Sequence, residues 1–113
     1  MKICICSSKR HFSQLKNFLS SNKNRFLAPN IEFAGEYTEI TRRKLADDHH
    51  RKIAESDAIY IYNPEKEIGR NVSLEIGYAL ALNKKIIALQ KTGDAGIDCF
   101  IERFFSLEEL KKL

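Results

Sequence analysis

The chain has 113 residues, of which 43% are hydrophobic, so it can build one core but is too short for two domains, and we expect 1–113 to fold as a single domain. Nineteen Lys and Arg against fifteen Asp and Glu give a net charge of +4, and the basic residues are scattered rather than gathered on one stripe. This pattern argues against nucleic acid as a partner and suits a phosphorylated small molecule better.

The first strand is predicted at Lys2 to Cys6, a short apolar and β-branched stretch. Polar Ser7-Ser8 follows too early for a signal peptide, and no apolar run approaches the ~18 residues that cross a bilayer, so we expect a cytoplasmic protein. Cys4 and Cys6 face the same side of this strand. Because the cysteine count is odd and lacks metal-like spacing, we expect small buried thiols, with a reactive thiol at Cys6 as the alternative.

The next segment is predicted to contain a helix and the second strand. Ser7-Ser8 can cap a first helix that runs from about Lys9 to Asn22. Asn24 to Asn30, which contains a proline, is interpreted as a connection. The alternation of apolar and polar residues over Ile31 to Tyr37 predicts the second strand.

The second helix is expected to begin at Thr38 or Thr41 and to continue to Ala54, with a strongly charged outer side. Asp47-Asp48-His49-His50 looks like a metal cluster, but consecutive helix residues point in different directions, so we expect no metal there. Arg42-Arg43-Lys44 lies among acidic residues, which indicates a solvated helix face rather than a nucleic-acid patch.

The clearest strand, the third, is Asp57 to Tyr62. Asn63-Pro64 ends it, because proline has no amide to donate to a central ladder. A loop leads to Gly69, and the chain is predicted to be helical from about Asn71 to Leu82.

The last third of the chain completes the predicted sheet. Asn83 is placed to adopt the left-handed turn that ends the third helix, and Ile86 to Leu89 is predicted as the fourth strand. Cys99 to Phe105 is expected to hold a short fifth strand. Ser106 to Glu109 has the pattern of a capping box that opens a terminal helix.

Strands that alternate with helices through short connections imply right-handed crossovers and a parallel sheet covered on both faces. We therefore predict an α/β fold, a flavodoxin-like three-layer sandwich with about five strands in the order 2-1-3-4-5. Ligands of such sheets bind beyond the carboxyl ends of the strands at the switch point, here between the first and third strands. This places Cys6 to Arg10 beside Asn63 to Glu75.

Glu75 is an acidic residue about one turn inside the third helix, in a segment that is otherwise almost wholly apolar. The helix dipole favours a negative charge there without any functional role. A capping box is not available, because Val72 has no side-chain oxygen. The alternative is a carboxylate that points into the ligand crevice as a nucleophile or as an acceptor for a ribose hydroxyl.

The start of the same helix has free amides that can bind an anion. Arg70, Asn71 and Ser73 can add donors, although Asn71 or Ser73 can also be a simple helix cap. Gly69 is either a turn glycine or leaves room for a ligand. The candidate substrate- or phosphate-binding residues are Ser7, Ser8, Lys9, Asn63, Gly69, Arg70, Asn71 and Ser73.

Two stretches, Ser56 to Pro64 and Ile68 to Ile87, resemble the nucleoside 2-deoxyribosyltransferase-like superfamily, and Glu75-Ile76-Gly77-Tyr78-Ala79 is the most specific part of the likeness. The resemblance implies that Glu75 attacks the anomeric carbon of a nucleoside or nucleotide. The base then departs through an oxocarbenium-like transition state and leaves a glycosyl-enzyme that another base or water resolves.

The same resemblance implies the substrate and the assembly. Members that act on 5′-monophosphates hold the phosphate at the start of this helix, which corresponds to Arg70, Asn71 and Ser73 here. Members are commonly homodimers or larger, and a neighbouring subunit completes the pocket. We therefore expect a homodimer or higher homo-oligomer, a nucleoside or nucleotide as the small-molecule partner, and no cofactor.

The chain departs from the family pattern at two places. Gly69 stands where transferases carry an acidic residue and phosphate-binding relatives often carry serine, and Cys6-Ser7-Ser8 replaces a turn of small residues and proline. The leading expectation is an enzyme that cleaves or transfers N-glycosidic bonds. The alternatives are a non-catalytic nucleotide-binding or sensing module, and a glutamate-dependent hydrolase of another nucleotide such as a dinucleotide. A second polar group that converges on Glu75 to handle the leaving base would favour the N-glycosidic enzyme over the sensing module, and a deep, roomy crevice would favour the hydrolase of another nucleotide.

Overall fold

A computed structural model describes residues 1–22 and 24–113 and contains a five-stranded sheet in which every strand pairs in parallel. The strands are β1 (Ile3–Cys6), β2 (Phe26–Leu27), β3 (Ala58–Ile61), β4 (Lys85–Ala88) and β5 (Arg103–Phe104). Their order is β2-β1-β3-β4-β5, which confirms the predicted flavodoxin-like α/β fold.

The helices connect these strands in chain order. They are α1 (Phe12–Ser21), which follows a 3-10 turn at Lys9–His11, α2 (Glu39–Ala54), α3 (Arg70–Ala81), α4 (Ala95–Asp98) and α5 (Leu107–Leu110). Within the described residues, none of these helices has both the length and the apolar character that a membrane-spanning helix needs.

The sheet has an apolar layer on each face, because successive strand residues point to opposite sides. Side chains of β1, β3 and β4 pack against α2 and α3 on one face: Cys4, Cys6, Ile59, Ile61, Ile86 and Ala88. The opposite face packs against α1 and α5 through Ile3, Ile5, Ala58, Tyr60 and Ile87. The expectation of buried thiols is thus confirmed for Cys4 and Cys6, whereas Cys99 is exposed.

Local sequence signals set several of the helix ends. Thr38 caps α2, and its hydroxyl accepts a hydrogen bond from the Thr41 amide in a reciprocal capping box. Ser106 and Glu109 form the capping box predicted for the terminal helix, and Asn83 has a φ of +59° after α3. The prediction for α1 is wrong in one respect, because Ser8 makes no side-chain capping hydrogen bond.

The second strand lies earlier in the chain than predicted. Phe26–Leu27 pairs with Ile3 and Cys4, whereas residues 31–37 form turns and coil. Phe26 packs on one face of the sheet and Leu27 on the other, so a two-residue strand contributes one apolar side chain to each of the two core layers. The alternation in 31–37 has a different cause, since Phe33 and Tyr37 pack on each other with ring centroids 5.1 Å apart.

Candidate active site

A crevice of about 670 Å³ opens at the carboxyl end of β1, within the size range of small-molecule sites. Four segments enclose it: the turn after β1, the coil before α2, one face of α2 and the start of α3. This is the position that the strand order predicts for a ligand. Its lining includes Ser7, Ser8, Lys9, Tyr37, Arg42, Arg43, His49, His50, Gly69, Arg70, Asn71, Leu74 and Glu75.

Glu75 and His49 form an ion pair in the wall of this crevice. The distance from Glu75 Oε2 to His49 Nε2 is 3.3 Å, and the two side chains are 14% and 5% exposed. Burial disfavours the charged form of His49, but the hydrogen bond and negative charge of Glu75 outweigh burial, so the pKa of His49 is raised. The contact with the Glu75 carboxylate therefore favours the protonated form of His49.

The pairing follows from how α2 and α3 pack on the sheet. His49 lies four residues before Ile53, so both residues occupy the inward face of α2 and both are buried. Glu75 immediately precedes the buried Ile76 of α3, which directs its carboxylate to the edge of the same interface. Two helices with apolar inner faces thus bring one acidic and one basic group together.

Two thiols lie directly behind this pair. Cys6 Sγ is 3.5 Å from His49 Nε2, and the ligand atoms of Cys4, Cys6 and His49 all lie within 4.8 Å of one another. The pKa of Cys6 is raised well above its usual value by its hydrogen bond with Cys4, by complete burial and by the nearby Glu75 carboxylate. Cys6 is therefore a neutral thiol rather than the reactive thiolate considered above.

The rest of the crevice is strongly basic. Lys9, Arg42, Arg43 and Arg70 line it, and among the described residues only Arg43 of these four pairs with an acid, Asp47 at 3.1 Å. Two of the cations contact the Tyr37 ring, with Lys9 Nζ 3.5 Å and Arg42 Cζ 5.3 Å from its centroid. Such an arrangement attracts an anionic ligand and offers it charged donors.

Solved structures share this architecture along the whole chain. A 2-deoxyribosyltransferase from Bacillus psychrosaccharolyticus aligns with a TM-score of 0.69 at 16% identity, over 100% of this chain and 92% of that one. The CMP N-glycosidase BcmB of Clostridium botulinum aligns with a TM-score of 0.57 at 18% identity, over 99% and 96% of the two chains. The chain has the fold of the nucleoside 2-deoxyribosyltransferase-like superfamily.

A conserved protein from Enterococcus faecalis V583 also aligns, with a TM-score of 0.58 at 17% identity, over 99% of this chain and 98% of that one. No protein-family model matches the chain, and no curated protein matches it in sequence. The likeness is therefore one of three-dimensional structure.

Most of the residues predicted for the site line the crevice of this deoxyribosyltransferase-like fold. They are Ser7, Ser8, Lys9, Gly69, Arg70, Asn71 and Glu75. Ser7 also donates to the Tyr62 carbonyl at 3.0 Å, which ties the turn after β1 to the end of β3. Gly69 is the N-cap of α3 with a φ of −83°, so no left-handed turn requires a glycine there, and neither Asn71 nor Ser73 is the cap.

Asn63 and Ser73 are placed outside the crevice lining. Ser73 donates to the Gly69 carbonyl at 3.1 Å and borders a different cavity, beside Thr92. Asn63 is buried, and its amide nitrogen donates to the carbonyls of Lys66 at 2.8 Å and Gln90 at 2.9 Å. Asn63 thereby joins the loop after β3 to the loop after β4, which is a structural role.

This role of Asn63 predicts a loss of stability on substitution. Because Asn63→Ala removes the buried amide that donates to the Lys66 and Gln90 carbonyls, we expect the free energy of unfolding to fall by about 2–3 kcal/mol. Urea denaturation followed by circular dichroism measures the change. The control is Ser73→Ala, in an exposed position, and its free energy of unfolding should fall by less than about 0.5 kcal/mol. Equal stability of both variants would contradict the structural role.

Three residues at the crevice were not predicted as site residues: His49, Tyr37 and Arg42. His49 was considered only with its neighbours as a metal cluster, yet its spacing of four from Ile53 marks it as a polar residue on the buried helix face. Tyr37 and Arg42 offer no comparable signal. Their place at the crevice depends on the path of the coil from β2 to α2, which was predicted as a strand.

Proposed function

We propose that the protein cleaves or transfers the N-glycosidic bond of a (deoxy)nucleoside or its 5′-monophosphate, with Glu75 as the nucleophile. The observation that carries the proposal is the Glu75 carboxylate, which lies 14% exposed in the crevice wall with His49 Nε2 at 3.3 Å. A second polar group therefore converges on Glu75, as an enzyme requires. The fold shared with a 2-deoxyribosyltransferase and a CMP N-glycosidase supports the same reaction class.

In the proposed reaction, a Glu75 oxygen attacks the anomeric carbon while the bond to the base nitrogen breaks. The electron pair of that bond leaves with the base, and the carboxylate stabilises the positive charge that develops on the sugar. His49, whose pKa is raised, is the proton donor that we assign to the departing base. Water or a second base then attacks the glycosyl ester and regenerates Glu75.

The basic lining supports a phosphorylated substrate. Lys9, Arg42 and Arg70 have no acidic partner among the described residues, so they are available to a ligand anion. Arg70 is the first residue of the 12-residue helix α3, where the helix dipole also favours negative charge. We assign the 5′-phosphate to this helix start, with Asn71 as an additional donor.

The test is a panel of nucleosides and 5′-monophosphates incubated with the protein, with and without a second free base, and followed by chromatography. Base release without an acceptor indicates hydrolysis, and exchange only with an acceptor indicates transfer. Nucleotide binding without any turnover at high protein concentration would contradict the proposal and favour the sensing module.

We also propose that the working form is a homodimer or larger assembly in which a second copy covers part of the crevice. Leu74, next to Glu75, is 61% exposed at the crevice rim, an unusual position for a large apolar side chain in an uncovered site.

We expect sedimentation at micromolar concentration to give at least a dimer, and Leu74→Glu to shift it to monomer. The control is Leu82→Glu, at the other end of α3, where the side chain is 40% exposed. Monomer alone for the unmodified protein would refute the assembly without affecting the assignment of Glu75.

A further inference from the structure

The thiols behind the Glu75–His49 pair complete a set of metal ligands. We propose that Cys4, Cys6 and His49 bind one Zn²⁺ ion with Glu75 as the fourth ligand, and that the bound ion blocks the chemistry of the crevice. The binding site follows from the geometry alone, whereas the inhibition rests on the proposed function of Glu75.

Two of the distances between the proposed ligands match a tetrahedral zinc site. With Zn–S of about 2.3 Å and Zn–N of about 2.05 Å, a tetrahedral angle places sulfur and nitrogen about 3.6 Å apart. The observed distance from Cys6 Sγ to His49 Nε2 is 3.5 Å. Nitrogen and carboxylate oxygen ligands would lie about 3.4 Å apart, and His49 Nε2 to Glu75 Oε2 is 3.3 Å. The ligand atoms of Cys4, Cys6 and His49 all lie within 4.8 Å of one another, whereas the Glu75 carboxylate lies outside this group of three and would turn toward the ion on binding.

Three different elements supply these ligands, and the fold fixes each of them. Cys4 and Cys6 are two apart on β1 and so project from the same face, and α2 and α3 cover that face. His49 and Glu75 also line the crevice, which gives an ion a route from solvent to the buried thiols. A buried site formed by rigid elements needs little rearrangement to bind an ion.

The donor set selects a thiophilic ion. Two thiolates and an imidazole are a known set for Zn²⁺, and a hard ion such as Mg²⁺ prefers oxygen ligands. Each thiol loses its proton to solvent on binding, so the two thiolates balance the charge of the divalent ion, and the Glu75 carboxylate leaves the site with a net charge of −1 at the crevice wall. His49 Nδ1 has no hydrogen-bond partner among the described residues, so the ring can carry its proton there and present Nε2 to the metal.

Zinc in this position removes the groups that the proposed reaction needs. A Glu75 oxygen bound to the ion is not free to attack a sugar, and a metal-bound His49 Nε2 cannot carry a proton. Metal-free protein should therefore be the active form, and Zn²⁺ should inhibit it reversibly.

The test titrates the untagged, metal-free protein with Co²⁺ as a spectroscopic probe and with Zn²⁺ in competition. We expect one ion per chain, a thiolate-to-cobalt charge-transfer band, the intense visible bands of a tetrahedral ion, and loss of all of them when Zn²⁺ is added. In the Cys4→Ala and Cys6→Ala double variant, the affinity should fall by at least about 100-fold. Cys99→Ala, which alters the exposed cysteine, is the matched control and should bind like the unmodified protein.

Several outcomes would overturn the site. If the cobalt spectrum of the unmodified protein lacks the thiolate charge-transfer band, the proposed site is refuted, whatever the spectra of the variants show. A band that persists in the double variant, or that disappears in Cys99→Ala, refutes the assignment of ligands. Circular dichroism checks the fold of the double variant, and His49→Gln, which keeps both thiols, should shift the visible bands. Absence of base release from the metal-free protein would refute the proposed function and leave the cobalt result to decide the site.

Discussion

We expect Glu75→Gln to lower the rate of base release by at least about 10³-fold, because the substitution removes the nucleophile of the proposed reaction. Glutamine has nearly the same shape and keeps an oxygen that can accept a hydrogen bond from His49, so the crevice should keep its form. The loss should appear in kcat, and nucleotide binding measured by calorimetry should remain within a few-fold.

The matched control is Glu67→Gln, which removes an exposed carboxylate from the loop before α3, outside the crevice lining. Its rate should equal that of the unmodified protein. A slow substrate with fluorine at the sugar 2-position should also leave a glycosyl adduct that mass spectrometry locates on Glu75. Base release at the normal rate by Glu75→Gln would show that Glu75 is not the nucleophile. An adduct on another residue would assign that role to the modified residue.

The sequence was sufficient to predict the sheet order, because short apolar runs alternate with helices and leave few arrangements of right-handed crossovers. It also located several helix ends, since Thr38, Asn83 and Ser106 act through local hydrogen bonds and backbone conformation. The second strand was misplaced for a physical reason. An edge strand of two residues, Phe26–Leu27, is too short to produce a periodic pattern, whereas 31–37 alternates through aromatic packing in coil.

The candidate site was predicted in part for similar reasons. Glu75 stands out as a lone acid in an apolar segment, and strand order alone brings Ser8 and Gly69 to one crevice. His49 and Cys6 are 43 residues apart, and their contact depends on how α2 crosses the sheet, which no local pattern specifies. Spacing rules for metal sites consider ligands that are near in sequence, so they do not detect the cluster of Cys4, Cys6 and His49, which a strand and a helix bring together.

The basic crevice predicts a preference for phosphorylated substrates that depends on Arg70. A charge-assisted hydrogen bond contributes about 1.5–3 kcal/mol, so we expect Arg70→Ala to lower kcat/KM for a 5′-monophosphate by about 10–100-fold. The corresponding nucleoside has no phosphate that could contact Arg70, so its kcat/KM should change by less than about 3-fold. Parallel measurements on one nucleoside and its 5′-monophosphate test this difference.

Lys16→Ala separates a local contact from a general charge effect, because it removes the same charge from an exposed position on α1, outside the crevice lining. The two variants have equal net charge, so electrostatic attraction over long distances changes equally in both. If only Arg70→Ala loses the preference for the monophosphate, the helix start holds the phosphate. If both variants lose it to the same extent, the preference arises from overall charge, and the assignment of Arg70 is wrong. If the unmodified protein acts on both substrates equally, the substrate of this crevice is the nucleoside, and its free cations have another role.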